Sequence, residues 1–330
     1  MNGANYLQTT TWFLPFRILF SGLYSLIISV RNLFYDLGIY KVHSVKTPVI
    51  SVGNLSVGGS GKTILVQSLL DYFLSKNKTP AVLSRGYGRQ SKGLHLVSNK
   101  SALLGNLSDS GDEPFLIAQN FPGVPVVVSE DRVAGATFLC DSFNPDVIIL
   151  DDGYQHRRIH RDLDIVIIDF PPTELSHVLP WGRLREINKN IDRADMVLYS
   201  KEGCRAGGDF NLDLKLDLHA FNYDGKRTPL ADLVGTYGLF AGLGNPLSFF
   251  DSVHDIHRAS AVQISFPDHC DYGKKQLAKF SEFECDYWLT TQKDFIKLDP
   301  HFCQQFSIHF VKVSTPLPTP LLTHLKQFFN

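Results

Sequence analysis

The chain has 330 residues, of which 44% are hydrophobic and 20% charged, and its formal net charge is −1. This composition is that of a globular protein, the length predicts two domains, and the near-zero charge argues against nucleic-acid binding. The cysteines favour a reducing cytoplasm over a disulfide scaffold or structural zinc site, because they are odd in number and form no C-x-x-C pair. They are Cys140, Cys204, Cys270, Cys285 and Cys303.

The first unusual feature is an uncharged apolar run at 18–30. Thirteen residues are fewer than the about 20 that span a bilayer core. We therefore expect region 1–31 to form a helix that dips into one leaflet, with Arg17 and Arg31 at the lipid headgroups and Trp12 at the interface. A helix buried against the rest of the protein is the alternative.

From Val49 onward, short β-branched runs alternate with helical patterns. The predicted strands are 49–52, 81–83, 124–128, 147–150, 165–169 and 196–199, and the clearest predicted helices are 62–76, 113–120 and 132–143. Nearly continuous apolar strands separated by helices predict an α/β fold, with a mostly parallel sheet covered by helices on both faces. Ligands of such sheets bind at the carboxyl ends of the strands.

A second group of predicted strands and helices begins after residue 201. It is preceded by the glycine-rich segment 202–209, which has the composition of a domain junction. Further strands are predicted at 213–218, 239–241, 262–266 and 287–290. We therefore expect a core domain at 32–203 and a smaller α/β domain at 204–315 that closes over the active site. A helix at 316–329 is expected to return to the core, which would give that domain the segment 316–330.

A glycine-rich turn follows the first predicted strand and precedes the first long helix. Its glycines allow backbone amides to surround anionic oxygens, and the helix N-terminus adds partial positive charge. Lys62 is expected to reach the β- and γ-phosphates of ATP, and the Thr63 hydroxyl to ligate Mg²⁺. Ser56 stands where the usual P-loop pattern has glycine. The predicted phosphate-binding residues are Gly58, Gly59, Ser60, Gly61, Lys62 and Thr63.

Acidic and basic residues follow the other predicted strands. Asp151 and Asp152 come directly after an apolar strand, where P-loop enzymes hold Mg²⁺, although an Asp-Asp-Gly turn without a ligand is the alternative. Asp112 precedes a helix, so it can be an N-cap, a catalytic group or both. Several arginines are candidates for phosphate recognition, with a solvated surface role as the alternative for each. They are Arg85, Arg89, Arg157, Arg158 and Arg161.

Together these motifs resemble the tetraacyldisaccharide 4'-kinase family of the lipid A pathway in Gram-negative bacteria. The matching pieces occur in the family's order between about 48 and 298. They are VGNLSVGGSGKT, LSRGYGR, GDEP, SEDR, DDGYQHR, LRE, GLGNP, FPDH and TTQKD. The LRE segment at 184–186 lies in a loop that departs from the family pattern at Trp181, Arg183 and Ile187, which makes its shape less certain.

The resemblance implies transfer of the ATP γ-phosphate to the 4'-hydroxyl of a tetraacylated glucosamine disaccharide 1-phosphate, which gives lipid IVA. A hydrophobic N-terminal helix is also a trait of this family, so we expect a peripheral protein at the cytoplasmic face of the inner membrane, and we expect it to be a monomer. Asp112 is expected to pair with His269 and activate the acceptor hydroxyl, as a carboxylate-oriented imidazole can. The two residues lie in different predicted domains, so catalysis is expected to need interdomain closure.

The resemblance also assigns the remaining site residues. Glu186 is expected to join Asp151 and Asp152 in the metal site. The residues expected to contact the substrate or line its cleft are Arg85, Arg89, Gln155, His156 and Arg185.

Two alternatives from other classes stay open at this point. The first is a membrane-associated P-loop switch ATPase of the partitioning type, but Val57 stands where those proteins have their signature lysine. A GTPase is disfavoured because 291–294 has the wrong spacing for the guanine motif. The second is a soluble small-molecule kinase whose N-terminal helix belongs to the core.

Overall fold

The computed structural model describes residues 14–169, 177–200 and 210–329. Trp12 and the predicted junction at 202–209 lie outside the described residues. Two sheets organise the fold, one of seven strands and one of six.

The first sheet has the order β3-β4-β2-β5-β1-β6-β7, and all its pairings are parallel except that of β3 with β4. This confirms the predicted mostly parallel sheet. Strand β3 was not predicted, because it is a short edge strand with two partly exposed residues. The strands are β1 (Val49–Asn54), β2 (Pro80–Ser84), β3 (His95–Ser98), β4 (Val126–Val128), β5 (Val147–Asp151), β6 (Leu163–Ile168) and β7 (Met196–Tyr199).

Helices cover this sheet. The helix after β1 buries Leu65, Leu69 and Phe73, spaced four residues apart, in the same cluster as Ile50 and Val52 of the sheet. This spacing places the three side chains on one face of the helix, which explains why it packs on β1. The helices are α1 (Leu14–Asp36), α2 (Lys62–Ser75), α3 (Leu107–Ser110), α4 (Asp112–Asn120) and α5 (Arg132–Phe143).

The second sheet has the order β11-β10-β12-β13-β8-β9, in which only the pairings of β8 are antiparallel. Its strands β9 and β13 were not predicted. The strands are β8 (Lys215–Phe221), β9 (Arg227–Pro229), β10 (Tyr237–Ala241), β11 (Val262–Ser265), β12 (Tyr287–Thr291) and β13 (Ile308–Ser314). The helices are α6 (Pro246–His254), α7 (Lys274–Ala278), α8 (Gln292–Phe295) and α9 (Pro300–Gln305), with 3₁₀ turns at Asn188–Arg193, Leu230–Asp232 and Lys279–Glu282.

The last helix, α10 (Thr319–Phe328), packs against the first sheet and not the second. Its Leu321 and Leu325 are fully buried in the cluster that contains α2, and the rings of Phe73 and Phe329 lie 5.1 Å apart. The chain thus crosses to the second sheet and returns. The domain limits at residues 31, 203 and 315 remain an interpretation.

Helix α1 is longer than the uncharged run suggested, because it continues through Arg31 to Asp36 for a total of 23 residues. Among the described residues it is the one helix that is long and apolar enough to cross a membrane, a criterion that a signal sequence or a core helix can also meet. The prediction that this apolar segment is too short to span a bilayer was therefore wrong about its length. Arg17 and Arg31 were expected at lipid headgroups, but they contact the Pro180 carbonyl and Glu186.

Candidate active site

The phosphate loop joins β1 to α2 as predicted, and its glycines adopt backbone conformations that other residues rarely take. Gly58 and Gly61 have φ angles of 127° and 85°. A side chain at Gly59 would meet no atom within 4 Å, so the loop is open at this point. Ser56 donates a buried hydrogen bond of 2.7 Å to Asp169, which gives the serine at the usual glycine position a structural role.

Lys62 is the first residue of α2, and its ammonium group lies 3.5 Å from an oxygen of Asp152. Asp152 has a φ angle of 53° and also accepts hydrogen bonds of 3.0 and 2.8 Å from Arg185. Burial would raise the pKa of Asp152, but the charges of Lys62 and Arg185 outweigh it, so the pKa is lowered. The structure thus brings together the predicted phosphate-binding lysine and one predicted metal ligand.

Asp151 ends β5 and is almost completely buried. Burial raises its pKa to about 7, with further contributions from the nearby carboxylates of Glu113 and Asp152. The only hydrogen bond that its carboxylate accepts among the described residues comes from Ser84 at 3.5 Å. The second carboxylate oxygen has no partner there. A buried carboxylate with an unused oxygen is suited to hold a cation, directly or through water.

Ser60 and His156 line the same cleft, and each has a buried polar atom without a hydrogen-bond partner in the described chain. The Ser60 hydroxyl can donate to a phosphate oxygen. Buried polar atoms are rarely left unpaired, so these atoms fit an anionic ligand that completes their hydrogen bonding. The residues present therefore fit both ATP and Mg²⁺.

Asp112 and His269 meet across the cleft, with His269 Nδ1 2.9 Å from Asp112 Oδ2. Asp112 is the first residue of α4, and Gly111 is the N-cap, so Asp112 does not cap the helix. Burial opposes ionisation of Asp112, but hydrogen bonds from His269 and Lys297 outweigh it and lower its pKa to about 2. The carboxylate is therefore an anion at neutral pH and orients the imidazole.

Sequence reasoning assigned no role to three cations at this site. Lys297 contacts Asp112 at 2.7 Å, and Lys293 lies 3.4 Å from His269 Nε2. Arg132 lines the cleft with 2% of its surface exposed, and burial lowers its pKa to about 10. Lys293 and Arg132 lie inside the TTQKD and SEDR motifs, so the resemblance located them without giving a function.

The predicted arginines separate into two kinds. Arg85 is exposed, lines the cleft and has no hydrogen bond or ion pair within the described residues. Arg89 was predicted to contact the substrate, but its side chain is 3% exposed and donates to Glu130 and the Gly93 carbonyl, both at 2.6 Å. These contacts favour a structural role for Arg89, and its contact with the substrate stays a prediction.

The other predicted substrate contacts lie in the cleft. Gln155 donates to the carbonyl of Asn54 at the end of β1, at 2.8 Å, and Arg185 holds Asp152. Burial lowers the pKa of His156 to about 4, with Arg132 adding to the effect. His156 is thus neutral at physiological pH.

Glu186 lies in an ionic network apart from the cleft lining. It is fully buried and paired with Arg31 at 3.4 Å and with Arg193 at 2.8 Å. The amides of Asn32 and Asn190 also donate to it. A direct metal contact would require Glu186 to leave these partners, so we leave it out of the metal site that the sequence suggested.

The phosphate loop, Asp152 and His269 line one cleft of about 1660 Å³, together with other residues of both sheets and with Tyr24, Ile28 and Arg31 of α1. Its volume exceeds the range of about 300–1,000 Å³ that suits one drug-sized ligand. The cleft therefore has room for a nucleotide and a second large substrate.

Comparisons with known proteins place the chain among similar sequences and structures. The family model for tetraacyldisaccharide-1-P 4'-kinase matches residues 12–330. The tetraacyldisaccharide 4'-kinase of Geobacter metallireducens is 38% identical over 297 residues, covering 84% of this chain and 86% of the relative. That of Aquifex aeolicus is 40% identical over 285 residues, covering 84% and 88%.

A solved structure is also similar. The crystal structure of LpxK from Aquifex aeolicus in complex with ATP has a TM-score of 0.80 and 36% sequence identity, and the match covers 97% of this chain and 99% of that one. Likeness over nearly the whole of both chains confirms the predicted fold class and the resemblance. The chain therefore belongs to the tetraacyldisaccharide-1-P 4'-kinase family.

Proposed function

We propose that the chain transfers the γ-phosphate of ATP to the 4'-hydroxyl of a tetraacylated glucosamine disaccharide 1-phosphate, with Asp112 and His269 activating the hydroxyl. Family membership makes it an ATP-dependent kinase of lipid A biosynthesis. The observation that carries the residue assignment is the 2.9 Å contact of Asp112 with His269, which lines the same cleft as Lys62.

The phosphate loop would hold the triphosphate. Lys62 and the amides of 58–61 would neutralise and orient the β- and γ-phosphates, while Thr63, Asp151 and Asp152 would hold the cation, directly or through water. Mg²⁺, when bound, would offset the charge that develops on the transferred phosphoryl group. In the structure, Asp152 pairs with Lys62 and with Arg185, and these two cations keep its carboxylate ionised.

The dyad would supply the base. Asp112 fixes the imidazole through Nδ1, which leaves Nε2 to accept the proton of the sugar hydroxyl as its oxygen attacks the γ-phosphorus. The bond from the γ-phosphorus to the bridging oxygen breaks, and ADP leaves. Lys293 lies 3.4 Å from Nε2, where the hydroxyl would approach, so acceptor binding must displace or recruit this ammonium group.

The exposed face of α1 supports a membrane location. Its buried face carries Ser21 and Asn32, while Leu19, Leu23 and Leu26 are 68%, 52% and 60% exposed. A helix with one apolar face outward lies in a membrane interface at low cost, and the same helix lines the cleft. We propose that the chain acts as a peripheral monomer at the cytoplasmic face of the inner membrane.

The activity is tested with γ-labelled ATP and the tetraacyldisaccharide 1-phosphate in detergent micelles. The expected product carries a second phosphate at the 4'-position, identified by mass spectrometry and phosphorus NMR. The His269→Gln variant should lose most of the transfer rate while still binding ATP. ATP hydrolysis without lipid phosphorylation would instead support a switch ATPase.

The dyad is tested by combining substitutions. Residues that act as one unit show non-additive losses. The variant with both Asp112→Asn and His269→Gln should therefore lose little more activity than the more severe single variant. If the activity loss of the double variant equals the product of the two single losses, the two residues act independently.

A further inference from the structure

Lys297 is positioned to control the proposed dyad. Its ammonium group lies 2.7 Å from Asp112 Oδ2, the oxygen that also accepts from His269 Nδ1, and its side chain is only 4% exposed. It also donates to the Cys270 carbonyl at 3.3 Å, directly after His269. We propose that Lys297 is a positioning residue that clamps the His269 loop to Asp112 and weakens the pull of that carboxylate on the imidazole. The proposal rests on the proposed function.

The loop that contains His269 has a backbone conformation that contacts with its surroundings must stabilise. His269 has a φ angle of 58°, in the left-handed region that non-glycine residues occupy only when their surroundings hold them there. Lys297 itself lies just after α8, which is firmly anchored. The buried Asp294 of α8 accepts from the Gly242 amide at 3.1 Å and from the Thr291 hydroxyl at 2.7 Å.

The charge of Lys297 also has a chemical consequence. An ionised carboxylate on Nδ1 favours the protonated imidazole, which cannot act as a base. A cation on the same carboxylate oxygen opposes this effect and so favours the neutral imidazole, the form that can accept a proton. The other groups around His269 are Asp268 beside it, 3.9 Å from Nε2, Lys293 of α8, which pairs with Glu113 of α4 at 3.6 Å, and the Tyr87 ring at 5.4 Å.

The test is the pH dependence of kcat/KM for the lipid, measured on the full chain at saturating Mg-ATP. Lys297→Met removes the charge and keeps the length of the side chain, while Lys297→Arg keeps the charge. We expect Lys297→Met to move the acid limb to higher pH by about one unit. At a fixed pH on the acid side, kcat/KM should then be about tenfold lower than in the wild type. Lys297→Arg should leave the limb in place, as should Lys275→Met at an exposed lysine of α7.

Two outcomes would overturn the proposal. In one, Lys297→Met lowers the rate at every pH and leaves the limb unmoved, as expected for a merely structural residue. In the other, adding Lys297→Met to Asp112→Asn moves the acid limb as far as Lys297→Met moves it in the wild type. The charge of Lys297 would then not act through Asp112. This double variant also lacks both charges, so it keeps the test usable if Lys297→Met alone does not fold.

The failure of the proposed function itself has a separate signature. If His269→Gln retains the wild-type acid limb, His269 is not the base, whatever Lys297 does. If the limb depends on His269 but not on Lys297, only the role of Lys297 is wrong.

Discussion

At the scale of single residues, similar side chains near this cleft have different surroundings. Arg85 and Arg89 belong to one sequence motif, yet Arg85 faces the cleft without a protein partner among the described residues, and Arg89 is closed off by Glu130. Ser56 likewise departs from the usual loop glycine because its hydroxyl binds Asp169. Residue type indicates the available chemistry, and the partner decides its use.

The phosphate loop gives the first prediction. Lys62 is the loop's cation, and no other lysine or arginine lies among residues 53–63. Lys62→Ala should therefore lower kcat by about 100-fold or more, measured with labelled ATP. The exposed Lys92→Ala variant is the control and should retain full activity. Wild-type turnover in Lys62→Ala would refute the assignment of the phosphate loop.

The two arginines give a paired prediction. Arg85→Ala should raise KM or lower kcat/KM for the lipid by about tenfold, since a charge-assisted hydrogen bond is lost, and leave Tm unchanged. Arg89→Gln should lower the free energy of unfolding by about 1–3 kcal/mol, because it removes a nearly buried cation from Glu130 and the Gly93 carbonyl. Thermal melts and lipid titrations of both variants separate the effects, and the reverse pattern would exchange the two roles.

At the scale of elements, α1 belongs both to the proposed membrane surface and to the active site. Tyr24 donates to the Arg185 carbonyl at 2.9 Å, and Arg185 holds Asp152. Arg31 forms an ion pair with the buried Glu186, and the Asn32 amide donates a hydrogen bond to it. Deleting the helix would therefore leave a buried charge underpaired and disturb the cleft, so point substitutions are the better probe of membrane contact.

Substitutions on the exposed face of α1 give the third prediction. Replacing Leu19, Leu23 and Leu26 by Gln should reduce flotation with phospholipid vesicles at least about tenfold, since each buried leucine contributes about 2 kcal/mol. ATP binding should persist, because these side chains face outward. The matched control replaces Leu218 of β8 and Val234 of the loop before β10 by Gln; these residues are 61% and 77% exposed, and the control should float like wild type. Equal flotation of both variants would exclude α1 as the membrane contact.

At the scale of the whole molecule, the two sheets meet through the proposed catalytic pair. Asp112 comes from the first sheet's helices, whereas His269 and Lys297 come from the second. The contact also contributes to stability. The pKa of Asp112 is lowered to about 2, so its stabilisation is fully present above the unfolded pKa near 4 and is lost as pH falls toward about 2.

This linkage gives the fourth prediction. Wild type should exceed Asp112→Asn in the free energy of unfolding by at most about 2 kcal/mol at pH 6. The difference should shrink below about pH 4 because protonation then removes the charge in wild type too. Urea unfolding of both proteins between pH 6 and pH 3 measures it. A difference that stays constant or grows on acidification would contradict the assigned ionisation.

Local patterns in the sequence were sufficient for much of the fold. The strands of the first sheet other than β3, the helices α2, α4 and α5, and the phosphate loop depend on residues close together in the chain, so apolar periodicity and glycine spacing predicted them. Strands β3, β9 and β13 were missed. Of these, β3 and β9 are short edge strands, whose partly exposed residues give a weak apolar signal.

The sequence by itself determined the nucleotide chemistry and, through its resemblance to a family, the reaction. Only the tertiary structure decided which distant groups meet: Asp112 and His269 are 157 positions apart, and Lys297 joins them from a third segment. It also closed Arg89 and Glu186 into ionic pairs and extended α1 past Arg31. The physical reason is that local motifs form from neighbouring residues, whereas burial and charge pairing depend on how the two sheets pack together.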